Sequence, residues 1–228
     1  MTGREIRLGR LLAGGKTVVV AVDHGEFDGP IPMLEDVPGV VAKINPIVDA
    51  VLLSPGMLPH CGKSFAFKGA PMPIVRLNWA TTYCFGWNYQ EGETVSAASP
   101  RAMMEAGTEA VLVSLSLKTG SEKRDAKNVR VYARLVEEAK KCGLAVVGEY
   151  FPARGEHVTG KEQFEEIKVG CRIIAELGAD TVKTFHTENF REVVAGCPVP
   201  IWGLGASRLP KMVDALSLAK KEMDEGAQ

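Results

Sequence analysis

Two charged residues in this chain stand where charge is costly. Lys183 lies within Ala179-Asp180-Thr181-Val182-Lys183-Thr184-Phe185-His186, which reads as a short buried strand. An ammonium in such a strand loses its hydration, so the residue belongs at the strand's end with its amine reaching a cleft. Desolvation there lowers the amine's pKa and makes it a usable nucleophile toward carbonyl carbons. The same stretch also fits a lysine whose head simply runs out to solvent. Asp23 poses a matching question. It ends the apolar, β-branched run Thr17-Val18-Val19-Val20-Ala21-Val22 and opens Asp23-His24-Gly25. A carboxylate at that place either moves protons for a neighbouring nucleophile or accepts backbone N–H groups of the turn.

The elements that must position these residues can be read from periodicity. Besides the runs ending at Asp23 and Lys183, strands are predicted at Asp49–Leu53, Pro73–Asn78, Ala110–Leu115, Leu144–Glu149 and Pro200–Gly203. Helical segments separate them. Val129, Tyr132, Ala133, Val136 and Ala139 recur at helical spacing before Gly143. Phe164, Ile167, Cys171 and Ile174 form another face, behind a capping-box spacing at Thr159-Gly160-Lys161-Glu162. A last helix is predicted over Leu209–Met223, with Met212, Ala215, Leu216 and Ala219 along one side. Residues Gly3–Gly15 form an amphipathic lead-in. Strands and helices alternate without a linker or composition break. That is the pattern of one α/β domain built from parallel βαβ units, as a barrel or an open sheet. In a β/α barrel the strands' C-terminal ends share one rim, and Asp23 and Lys183 then face the same mouth.

Composition narrows the function classes. The 228 residues carry a formal net charge of −1, which gives no electrostatic footprint for nucleic acid or an anionic membrane. The five cysteines are scattered and none forms a C-x-x-C pair, so neither a disulfide framework nor a zinc knuckle is indicated. Cys142 and Cys171 fall on apolar helix faces as core residues. No targeting segment or membrane-length apolar run is evident, which points to a cytoplasmic setting.

The segments VVVAVDHG (18–25), DAVLLSPG (49–56), GLAVVGEYFPARG (143–155), ADTVKT (179–184) and FREVVAGCPVPIWGLGASR (190–208) carry a resemblance. In order and spacing they resemble the archaeal-type class I fructose-bisphosphate aldolases. That group belongs to the deoxyribose-phosphate/tagatose-bisphosphate aldolase (DeoC/LacD) family, near aminodideoxyheptulosonate synthase and the autoinducer-2 phosphate thiolase. The resemblance implies a parallel (β/α)8-type TIM barrel, a Schiff-base lysine at the end of strand six and an aspartate at the end of strand one. Lys183 and Asp23 are the matching positions. It further implies a lyase that needs no cofactor, acts on a phosphorylated ketose such as fructose 1,6-bisphosphate, and assembles as a homo-oligomer.

Three departures from the family pattern are visible. The family's proton-transferring tyrosine before Pro-Arg-Gly aligns with Phe151, and Pro152-Ala153-Arg154-Gly155 carries an extra alanine. Glu149 shares a strand face with Phe151, whereas Tyr150 comes inward only if the strand bulges, so either residue is a candidate acid. The family's phosphate loop after strand seven is Gly205-Ala206-Ser207-Arg208, which with His24 makes the candidate phosphate site. Finally, residues 1–228 are expected to form a single barrel domain that lacks the eighth βα unit, either truncated or with the gap filled from elsewhere.

Rival readings remain. His24, His60 and His186 converging on a metal would make a metalloenzyme, although no His-x-His or His-Glu-x-x-His spacing occurs. An acyl-transfer enzyme like the thiolase, an imine enzyme like the heptulosonate synthase and a non-catalytic binding barrel are the others. The aromatic cluster Trp79, Tyr83, Phe85 and Trp87 fits a lid or plain packing and is assigned no chemistry.

Overall fold

A computed structural model describes residues 2–154, 158–205, 209 and 211–228. Seven parallel strands curl into an incomplete barrel. They are β1 (Val19–Ala21), β2 (Ala50–Leu53), β3 (Met72–Arg76), β6 (Ala110–Leu115), β7 (Ala145–Tyr150), β8 (Thr181–Phe185) and β9 (Ile201–Leu204), hydrogen-bonded in that order. A separate antiparallel pair, β4 (Asn78–Ala80) and β5 (Thr94–Ser96), branches off after β3. Among the described residues the helices are α1 (Gly3–Leu11), α2 (Gly25–Asp28), α3 (Val37–Val41), α4 (Leu58–Cys61) and α5 (Pro100–Glu105). They continue with α6 (Glu122–Lys141), α7 (Gly160–Glu176), α8 (Phe190–Gly196) and α9 (Met212–Asp224). No helix among the described residues is long and apolar enough to cross a membrane.

Strand parity divides the core into two layers. Inside the barrel, Leu52, Ile74, Leu112, Val147 and Trp202 pack together, and Leu11 of α1 joins them from below. Outside, Val111, Val113, Val146 and Val182 meet Tyr132, Val136, Ile167 and Ile174 of α6 and α7. The amphipathic faces read from sequence for these two helices therefore lie against the sheet, with Cys171 buried among them as a free thiol. Gly143 ends the α6 region at a φ of +70°, where a side chain would be strained. α7 lies so close to β7 that a β-carbon on Gly170 would collide with the Tyr150 ring, and one on Gly148 with Ile174. Small residues at both places let the helix seat and so fix the end of β7.

Four expectations need correction. β1 spans three residues rather than six, and its side chains are only partly covered, with Val18 exposed. The cause is its edge position, since it pairs with β2 alone among the described residues. Thr159 stands at the N-cap of α7 but its side chain makes no capping bond; the capping box instead forms at α1, between Thr2 and Glu5. The apolar side read for the last helix is open to solvent, with Met212 82% and Leu216 65% exposed. α9 turns Glu222 onto the backbone at Gly203 and Met223 toward the core instead. Lastly, the strand read over Pro73–Asn78 ends at Arg76, and Asn78 begins the separate β4–β5 pair.

Candidate active site

Three charged side chains rise from three strands to the inner rim, and a fourth joins them from just past β1. Glu149 is paired with Lys183 in the β7–β8 register and with Ser114 in the β6–β7 register, so parity sends Glu149 and Lys183 inward together. Arg76 ends β3 on the same face, and Asp23 follows β1 after Val22, whose amide bonds to the Leu52 carbonyl. The side chains connect in a chain. Lys183 Nζ lies 2.7 Å from Glu149 Oε1. Arg76 Nη1 lies 2.8 Å from Glu149 Oε2, and Arg76 Nε donates to Asp23 Oδ2 at 2.6 Å. The Tyr83 hydroxyl donates to Glu149 Oε2 at 2.7 Å. Asp23 and Lys183 thus share one rim, as the alternation of elements predicted.

Burial and charge explain why this cluster holds. The Glu149, Arg76 and Asp23 side chains are 2%, 3% and 5% exposed, and Lys183 is the most open of the four at 16%. Two carboxylates balance two cations, so the buried set is close to neutral. Burial opposes ionisation of Glu149, but Arg76, Lys183 and the hydrogen bonds from Lys183 and Tyr83 outweigh it and hold the carboxyl well below the usual range. Burial opposes the charge on Arg76 too, and the two carboxylates overcome that. Burial and the adjacent Glu149 charge push the Tyr83 phenol up, so it serves as a neutral donor. The Arg76 guanidinium lies over the rings of Tyr83 and Phe27, 4.7 Å and 5.3 Å from their centroids. Tyr83 in turn packs on Phe151 at 4.4 Å. Lys183 is therefore set against a carboxylate, not only among the apolar and β-branched neighbours its sequence context suggested.

The two candidate acids are separated by strand geometry. β7 stays in register through Ser114–Glu149 and Leu115–Tyr150, with no bulge. Tyr150 consequently points to the outer layer, where its hydroxyl donates to Glu166 Oε1 at 3.0 Å and its ring covers Gly170. The inward route for Tyr150 required a bulge that the strand does not make. Arg76 and Tyr83 were missed in the sequence. Arg76 had the same signal as Lys183, a charge closing an otherwise apolar strand, whereas Tyr83 sits in a 3-10 turn with no periodic signature.

Lys183 opens into a cavity of about 310 Å³ that His24 and Gly205 also line at the mouth, above Ala21, Leu52, Ile74, Val147 and Trp202. Ala206, Ser207 and Arg208 of the expected phosphate loop lie outside the described residues. Another cavity, of about 380 Å³, sits by the β4–β5 pair against Trp79, Tyr89 and Val95 and is lined by no lysine. Among the described residues the histidines are dispersed: His24 lines the Lys183 cavity, His60 lies on α4 and His186 meets Glu225 at 2.8 Å. Among the described residues no three His, Cys, Asp or Glu side chains are grouped to hold a metal.

Known proteins match both the chain and its fold. An uncharacterized aldolase of Saccharolobus solfataricus is 29% identical over all of this chain and 86% of its own. A 3-hydroxy-5-phosphonooxypentane-2,4-dione thiolase of Yersinia pestis is 28% identical over 99% of this chain and 73% of its own. Among solved structures, an archaeal fructose 1,6-bisphosphate aldolase superposes with a TM-score of 0.81 at 25% identity, covering 98% of this chain and 88% of that one. Another, with the catalytic lysine covalently bound to the carbinolamine intermediate of its substrate, superposes at 0.80 with the same identity and coverage. The sequence profile of the DeoC/LacD family aldolases runs across residues 17–226, from the strand that leads to Asp23 to the end of α9, and the chain belongs to that family.

Proposed function

We propose that this chain is a class I aldolase that forms an imine through Lys183 and makes or breaks a C–C bond in a phosphorylated ketose. The observation that carries the reading is Lys183 itself, whose side chain lines an open cavity while its Nζ meets the buried Glu149 Oε1. The Lys183 ammonium passes a proton to Glu149, and the freed amine attacks the ketone carbon. Glu149 returns that proton to the carbinolamine hydroxyl, which leaves as water, and the nitrogen becomes a cationic imine. The electron pair of the adjacent C–C bond then flows into the imine, and an aldehyde departs. Asp23, anchored by Arg76, adds negative potential for the cationic intermediate. His24 and Gly205 line the mouth where a substrate phosphate would enter, and Ser207 and Arg208 extend that loop in sequence.

The thiolase relative favours a second reading, acyl transfer from a phosphorylated diketone, on the same lysine. Incubation with dihydroxyacetone phosphate and borohydride, followed by intact and peptide mass spectrometry, tests the imine. A single adduct on Lys183 is expected; an unlabelled protein would sink the proposal. Rates with phosphorylated ketoses and diketones then choose between cleavage and acyl transfer.

The two carboxyl-terminal residues of β7 should behave differently. Glu149→Gln removes the proton acceptor 2.7 Å from the amine and should lower kcat by about a hundredfold or more. Tyr150→Phe loses only a bond to Glu166 in the outer layer, at a cost of about 1 kcal/mol in stability. Its kcat should stay near wild type, and equal losses in both variants would contradict the assignment.

A further inference from the structure

An imine aldolase moves protons at two places, the nitrogen and the hydroxyl on the carbon being cleaved. The cluster around Lys183 serves the first. Glu149 meets the amine, and Asp23 is buried with one oxygen bound to Arg76. A second carboxyl stands one helical turn beyond Asp23. Glu26 lies on α2, its amide donating to the Asp23 carbonyl at 3.1 Å and its carbonyl accepting the Trp79 indole N–H at 3.2 Å. These bonds fix its backbone and leave the side chain uncommitted. Glu26 Oε2 is buried and has no hydrogen-bond partner among the described residues, although the residue as a whole is partly open to solvent. A buried carboxyl oxygen without a partner costs stability that a purely structural role does not recover.

Resting on the aldolase reading above, we propose that Glu26 is the acid–base group for the substrate's aldol hydroxyl. In cleavage, the Glu26 carboxylate takes the hydroxyl proton as the C–O bond becomes a carbonyl. The electron pair of the broken C–C bond passes to the imine, giving a neutral enamine and the free aldehyde. Protonated Glu26 then delivers the proton to the enamine carbon, which restores the imine for hydrolysis. No outside oxidant or reductant is required. The electrostatics suit a proton carrier, since burial pushes the Glu26 carboxyl up to about 7, with Arg76 pulling it down and Asp23 pushing it further up. The other ionisable groups around it are His24 and Asp28 on its own segment and Tyr83 and Cys84 from the facing turns, while β4 contributes none.

The pH dependence of cleavage tests this assignment. Wild-type kcat/KM should rise as pH passes about 7, because the base must be ionised. Glu26→Gln should lose that limb and at least about tenfold in kcat, while Glu26→Asp keeps the limb. Borohydride trapping on Lys183 should persist in both variants, since imine formation uses Glu149. A Gln variant with the wild-type profile, or one that loses trapping together with turnover, overturns the proposal. Absence of a Lys183 adduct in the wild type would instead bring down the aldolase reading, and this proposal with it.

Discussion

Lys183→Ala should abolish the borohydride adduct and reduce turnover by about four orders of magnitude or more, the scale on which removal of a covalent nucleophile acts. The size follows from how few groups on the rim can attack a carbonyl. Of the four charged groups there, Lys183 alone combines an amine with exposure to the cavity, so no neighbour can take over the attack. Arg76 is always charged, packed against the Tyr83 and Phe27 rings and bound to carboxylates. Truncating Lys183 also leaves Glu149 with one cation fewer, which adds a folding defect to the chemical one. Lys183→Arg separates the two effects. It keeps a cation beside Glu149 and so should melt close to wild type, yet it cannot form an imine and should remain inactive and untrapped. Retained aldol turnover in either variant, or an adduct that moves to another lysine, would defeat the imine mechanism.

How legible the site was depended on where each residue sat in a strand. Lys183, Asp23 and Glu149 lie on or just past buried strands, where period-two alternation tells which face a side chain takes. That rule also held Tyr150 apart from Glu149, and the unbroken β7 register agrees. Tyr83 could not be found that way. It reaches Glu149 from a 3-10 turn, and its partner is 66 residues away in sequence. Arg76 was readable in principle, but a charge at a strand end suggests a role only when its partners are known. The barrel itself was legible because α6 and α7 bury long amphipathic faces, and patterns of that length suffer little from local exceptions. Short pieces fared worse. The β4–β5 strands have three residues each, too few for alternation to show. The apolar side of α9 misled because periodicity reports only that a face is apolar, not that another element covers it.

Arg76→Met should destabilise the fold by about 3–5 kcal/mol at neutral pH, the cost of breaking a buried ion-pair set by removing one partner. For a domain of ordinary stability that is a large share of the total. The side chain holds Asp23 and Glu149 at once, and all three are almost fully buried. Without it, two buried carboxylates face the single charge of Lys183. The pH dependence gives the sign. In the wild type Glu149 is held below its unfolded value, so its contribution is present above the unfolded pKa and is lost as pH falls through the folded one. In the variant the Arg76 attraction is gone, and the burial that already acts to raise Glu149 weighs more heavily on it. A carboxyl raised in the folded state penalises folding most at high pH, and protonation relieves the penalty as pH falls. The gap between variant and wild type in urea unfolding should therefore narrow as pH falls from about 7.5 toward about 5. Arg76→Lys, which restores the charge but not the two-carboxylate fork, should fall between them. A methionine variant as stable as the wild type near neutral pH, or a deficit unchanged by acidification, would mean that ring packing by Phe27 and Tyr83 supports this corner of the barrel and that the charges contribute little.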